Sequence, residues 1–297
     1  MSLDFEMHDA QIEVYNSPAL YKVCAAGRRF GKTWLAAMMC ITEGFRETNL
    51  RGNKPMDDTS EIMYMAPTFE QAKGIFWPIL KKLAAPVTHT VHENTGVLTL
   101  VNGVRIRLKG MDNPDSARGF KLRFAVLDEY ADMNPGAWEA IVQPALMDME
   151  GGALFIGTPK GKNHFFKVFS EAKDYEPKED GFIEWAAWQF SSTDNPTTPR
   201  ESLSRMYESE TYSSDLRAQE LEADFLAGSD GLLKAHWWKF QQHEPRDGYF
   251  VVTVDLQGFV MDPIKKKKTL KDETVISVVK ICKQGWWVKE QIAGQWD

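Results

Sequence analysis

The chain has 297 residues, 43% of them hydrophobic, enough for two domains on the usual scale of about 100–200 residues each. Its 35 Lys and Arg against 42 Asp and Glu leave a net charge of −7, so the overall field repels nucleic acid and any such contact needs a local basic patch. No run approaches the roughly 18 apolar residues of a membrane span, the start MSLDFEMHDA is too acidic and polar for a leader, and the scattered Cys24, Cys40 and Cys282 form no CxxC pair, as in a protein of a reducing cytosol.

In chain order, strand-like apolar runs alternate with helical patterns: LYKVCAA then KTWLAAMMCITEGF, EIMYMAP then TFEQAKGIFWPILKKLA, RFAVLDE then NPGAWEAIVQPALMDM, ALFIG then NHFFKVFSEA. Such alternation predicts an α/β fold with a mostly parallel central sheet and helices on both faces. GVLTLVNGVRIRLKG interrupts it with two alternating runs around Asn102-Gly103, a predicted β-hairpin. From about Phe182 the pattern changes to a strand FIEWAAWQF, a polar SSTDNPTTP loop and two amphipathic helices near Arg200–Glu208 and Ser214–Leu226. AGSDG and HEPRDG then break the chain before a new strand, YFVVTVDL. The predicted organisation is a core over 1–180, a small helical subdomain over 181–230 and a separate domain beginning near 246 and running to 297.

The loop between the first strand and helix, AAGRRFGKT, approximates the P-loop pattern, in which successive backbone N–H groups curl around a phosphate at a helix N-terminus. Ala26 stands where the first glycine is usual, followed by Gly27, Arg28, Arg29, Phe30, Gly31, Lys32 and Thr33. The alanine is harmless if that position keeps a negative φ. Lys32 would reach the β- and γ-phosphates, and the Thr33 hydroxyl would ligate Mg²⁺. The strand RFAVLDE ends in two acids, and the expectation is that Asp128 holds the metal while Glu129 polarises the attacking water. ALFIG ends in Gly157-Thr158-Pro159, which alone is a turn; beside a nucleotide, Thr158 would sit near the γ-phosphate.

HDAQ, GRRFGKT, DNPDSARGF, VLDEYADM, IGTPKG, DNP and QELEADF, in this order and spacing, resemble the large terminase subunit of tailed bacteriophages. The resemblance implies a P-loop NTPase domain followed by an RNase H-like nuclease, which together package double-stranded DNA into empty capsids and cut concatemers. It implies that Gln11 reads adenine, that Arg28 or Arg118 offsets γ-phosphate charge as an arginine finger, Arg118 across a subunit interface, and that Thr158 couples hydrolysis to movement. Implied partners are DNA, a portal protein, a small terminase subunit and further copies in a homo-oligomeric ring, a pentamer in the family, in the host cell cytoplasm and without a membrane. ATP with Mg²⁺ is the implied cofactor. Asp255, in YFVVTVDL, matches the first nuclease aspartate, a ligand for Mg²⁺ or Mn²⁺. Such nucleases need several carboxylates around two metals about 4 Å apart; Asp272, Glu290 and Asp297 remain available, and the nuclease is expected to be incomplete in these residues. A Lys265–Lys268 run is a solvated loop or a phosphate-steering one. Two other readings share the P-loop. A helicase-like translocase would show further arginine motifs on a second P-loop-like domain, and a non-catalytic ATP-dependent assembly module has no use for Glu129.

Overall fold

In the computed structural model the described residues are 6–57, 59–209, 213–225, 243–255, 259–261, 268–270, 274–283 and 285–294. The chain divides into two compact units, Met1–Leu232 and Leu233–Asp297.

The first unit opens with helix α1 (Asp9–Asn16), strand β1 (Tyr21–Ala26), helix α2 (Lys32–Gly44) and strand β2 (Glu61–Ala66). A composite helix follows: α3 (Phe69–Gln71), a π-turn Ala72–Phe76, and α4 (Trp77–Ala84). Strands β3 (Thr88–His92), β4 (Val97–Leu100) and β5 (Arg105–Gly110) lead to β6 (Leu122–Asp128). Then come a second π-turn (Trp138–Val142), α5 (Gln143–Met147), β7 (Gly152–Gly157), α6 (His164–Lys173), β8 (Trp185–Phe190), α7 (Arg200–Glu208) and α8 (Ser214–Glu222).

Eight strands form one sheet in the order β3-β4-β5-β2-β6-β7-β1-β8, parallel from β5 through β8, with β3 and β4 antiparallel at one edge. The expected α/β fold with a mostly parallel sheet is therefore present. The hairpin around Asn102-Gly103 is β4 and β5, with Gly103 at φ 87°. Strand β3 had no signal in the sequence, because it is an exposed edge strand with no buried face to impose alternation. Strand β8 pairs with β1, so the same sheet continues past residue 180.

Burial on both faces explains the unbroken apolar strands. Along β2, Ile62, Tyr64 and Ala66 pack toward α2 and α4, whereas Met63 and Met65 pack with Trp138, Phe155 and Phe165 on the other side. Two predicted helices are less regular than their patterns, each carrying a π-turn before a proline in the next helical turn. Helix α8 ends at Glu222, with Ala223 in the left-handed region.

In the second unit, β9 (Tyr249–Asp255), β12 (Thr274–Cys282) and β13 (Gly285–Gly294) form an antiparallel sheet in the order β13-β12-β9. Strands β10 (Phe259–Met261) and β11 (Lys268–Leu270) form a separate antiparallel pair. Asp255 ends β9 opposite Val275, and its side chain lies outside the described residues. Glu290 stands opposite Val278, which itself faces Val252, so it does not share the row of Asp255. Asp272, Asp297 and Lys265–Lys267 lie outside the described residues, as does the AGSDG break.

Candidate nucleotide site

Strands β1, β7 and β6 are neighbours, and their carboxyl ends bring three loops together: Ala25 is in register with Gly157, and Ile156 with Asp128. Ligands of open parallel sheets bind at this edge. A cleft of about 1170 Å³ lies over it, lined by residues that include Gln11, Arg28, Lys32, Thr33, Glu129 and Thr158.

Ala26 closes β1 without a positive φ, so its methyl group fits as expected. Gly27 is required for close packing rather than for flexibility: a Cβ there would stand 2.4 Å from the Leu221 carbonyl oxygen and 2.6 Å from Ser192 Oγ. Arg29 and Gly31 take the left-handed turns, at φ 64° and 98°. Gly31 precedes α2 directly, so the first N–H groups of that helix have no acceptor within it and are available to an anion.

Phe30 points inward. It is fully buried, stacked on Phe190 at 5.0 Å and met edge-on by His8, so it anchors the loop to the core and offers a ligand only its backbone. Gln11 is 2% exposed; its Nε2 donates to the Gly31 carbonyl (3.0 Å) and its Oε1 accepts from the His8 amide (3.2 Å). In this arrangement the glutamine braces the loop.

Lys32 is buried, and its Nζ donates to the carbonyls of Ala26 (2.7 Å) and Gly27 (3.1 Å) and to Thr158 Oγ1 (3.1 Å). Asp128 is also buried. Its Oδ1 accepts the Glu129 amide (2.9 Å) and its Oδ2 the hydroxyl of Tyr64. Burial first, then the neighbouring Glu129 charge, pushes the Asp128 carboxyl up to about 6, against the pull of Tyr64 and Lys32. Burial, reinforced by Asp128, keeps the Tyr64 hydroxyl well above its ordinary value, a firm donor. Glu129 sits at φ 51°, ψ 47°, in a conformation costly for a residue with a Cβ. There its Oε2 accepts the Thr158 amide (3.4 Å). Gly157 gives this turn room, since a Cβ would approach Glu129 Cα to 3.3 Å.

Arg28 and Arg118 part company. Arg28 borders the cleft, its amide bonded to the Glu220 carbonyl (2.8 Å) and its Nε to Glu220 Oε2 (2.5 Å). Arg118 follows a short 3₁₀ turn, Pro114–Ala117, is largely exposed, pairs with Asp115 (2.6 Å) and does not line the cleft. Sequence reasoning passed over three residues in this site: Tyr64, Glu220, and Asn195, whose Nδ2 holds the Arg29 carbonyl at 2.7 Å. Asn195 and Glu220 could have been found through the DNP and QELEADF segments that contain them, while Tyr64 carries no local signal.

The residue types suit a divalent cation: two adjacent carboxylates, Asp128 and Glu129, stand at a strand end, and the Thr33 hydroxyl and Glu129 line the same cleft. Among the described residues no three His, Cys, Asp or Glu stand together as a closed metal cage.

Sheet order, loop and paired acids define a P-loop NTPase. Residues 23–240 match the family profile described as terminase large subunit, T4likevirus-type, N-terminal, and the chain belongs to that family. The terminase large subunit of Thermus phage G20c is 29% identical over 187 residues, 56% of this chain and 36% of the relative. That of Escherichia phage T5 is 28% identical over 211 residues, 69% of this chain and 44% of the relative. The chain thus spans less than half the length of these curated relatives. Among solved structures, the large terminase ATPase domain of Thermus phage P74-26 superposes with a TM-score of 0.58 at 26% identity, covering 75% of this chain and 96% of that domain.

Proposed function

We propose that the chain is the ATP-hydrolysing motor part of a DNA-packaging terminase, which drives viral double-stranded DNA into a procapsid. The observation that carries this reading is the joining of Lys32, Thr158, Glu129 and Asp128 by hydrogen bonds across three adjacent strand ends, within a chain of this family. Lys32 clamps the β- and γ-phosphates, and Glu129 orients and deprotonates the attacking water. Asp128 and Thr33 would hold Mg²⁺, which would offset the negative charge of the phosphates. Arg28, which lines the cleft, would act on the phosphates from within the same chain. Arg118 is offered outward and serves a neighbouring copy in a ring. Thr158 touches Lys32 and Glu129 at once, which suits a residue that passes loss of the γ-phosphate to the rest of the motor.

We assign the second unit to an RNase H-like nuclease, with Asp255 as a ligand for Mg²⁺ or Mn²⁺. Packaging would take place in the host cytoplasm, with portal protein and small terminase subunit as partners. The test is ATP turnover by the purified chain with Mg²⁺, with and without linear duplex DNA. Hydrolysis that Lys32→Ala abolishes supports the reading, and binding without any turnover supports the assembly-module reading instead.

A further inference from the structure

Tyr64 belongs to β2, which contributes no loop to the phosphate corner described above, yet its hydroxyl ends on the inner oxygen of the acid pair. The phenol is 1% exposed, and its ring lies flat on Phe76 in the π-turn, with centroids 3.6 Å apart and planes 9° from parallel. Register with Val126 sets it two residues short of Asp128 on the adjacent strand, close enough for the long side chain to span the gap. Ring and hydroxyl are therefore both fixed.

Asp128 has one oxygen bonded by Tyr64 and the other by the Glu129 amide, so rotation about its carboxylate is blocked from both sides. The second bond also ties the strained Glu129 turn to the same carboxylate. Loosening Asp128 thus loosens Glu129. We propose that Tyr64 is a positioning residue for this pair: its hydroxyl sets the rotamer in which Asp128 meets the metal of a bound nucleotide, and through Asp128 it steadies Glu129. The proposal rests on the ATPase reading of this site. Groups that orient metal-ligating side chains from behind typically contribute about 10–100-fold to metal affinity or activity.

The experiment uses Tyr64→Phe, which keeps the ring on Phe76 and removes only the oxygen. Affinity for a non-hydrolysable ATP analogue is measured by calorimetry twice, in EDTA and in Mg²⁺, for wild type, Tyr64→Phe, Asp128→Asn and the double variant. The expected result is that Tyr64→Phe binds the metal-free analogue as wild type does and loses about tenfold or more of the affinity that Mg²⁺ adds. In the Asp128→Asn background the same change has no further effect, because the carboxylate through which it acts is gone. An equal Mg²⁺ gain in wild type and Tyr64→Phe overturns the positioning role while leaving the ATPase reading intact. Equal weakening with and without metal also overturns it, since that marks a structural role. A wild type that binds no nucleotide in either condition overturns the ATPase reading and the proposal with it.

Discussion

Lys32 Nζ and Thr158 Oγ1 lie 3.1 Å apart, joining the P-loop to the end of β7. With the Ala26 and Gly27 carbonyls, the threonine satisfies all three donors of the ammonium. A phosphate must therefore replace bonds the lysine already makes. Lys32→Ala is expected to remove nucleotide binding altogether. Thr158→Val takes away one bond to a charged group, roughly 1.5–3 kcal/mol, and is expected to weaken nucleotide affinity by about 10–150-fold. Fluorescent-nucleotide titration separates the two; equal losses would show that Thr158 contributes as much to binding as the lysine itself.

Glu129 should show the opposite profile. Its side chain faces the cleft, and its nearest partner is an amide that a glutamine oxygen can also accept from. Glu129→Gln is expected to bind ATP within a few-fold of wild type while turnover falls by about 10²–10⁴. Single-turnover hydrolysis beside direct binding checks it, and wild-type turnover in the variant would remove Glu129 from the role of base.

The two small residues that open the P-loop differ in what they tolerate. Ala26→Gly changes a strand residue with negative φ and is expected to cost no more than about 1 kcal/mol. Gly27→Ala drives a methyl group into the Leu221 carbonyl and Ser192, both on segments that brace the loop. It is expected to destabilise by about 1–3 kcal/mol and to weaken nucleotide binding. Thermal unfolding of the two variants would reverse this order if Gly27 served flexibility alone.

Arg118 does not line its own cleft, and its exposed i,i+3 pairing with Asp115 contributes little stability. Arg118→Ala should leave the melting temperature unchanged and nucleotide binding intact while lowering turnover in the ring proposed above. Mixing it with Glu129→Gln should restore part of the activity, because some interfaces then join an intact base to an intact finger. No rescue in mixed rings of verified composition would rule out action across the interface.

How far the sequence could be read depended on whether burial writes a pattern. The strands β1, β2, β6 and β7 are enclosed on both faces and appear as continuous apolar runs, and Lys32, Asp128, Glu129 and Thr158 stand at or just beyond the ends of β1, β6 and β7. Edge strand β3 has no such enclosure and was invisible. The reason for Gly27 lay in Leu221 and Ser192, distant in sequence, and the bond from Tyr64 to Asp128 depends on strand order. Residues whose purpose is to hold other residues are set by contacts of this kind and leave no spacing to recognise.

Lys22, at the opposite concern from catalysis, allows a test of the core by pH. It sits within β1 at 4% exposure, and burial lowers its ammonium to about 8; Arg46 adds to the effect and Glu43 opposes it. Glu43 is itself held by two bonds from Arg46, at 2.7 and 2.9 Å, so it does not depend on the lysine for a partner. The folded value lies below the ordinary 10.5, so between pH 8 and 10.5 the unfolded chain binds more protons and stability rises with pH. Below pH 8 the full penalty applies, about 3 kcal/mol as an order of magnitude. Lys22→Met keeps the length of the side chain and drops the charge. The variant is expected to melt a few degrees above wild type at pH 7, with the difference shrinking as pH is raised through 8 toward 10. A variant less stable at pH 7 would mean that the ammonium contributes more through Glu43 than its burial costs.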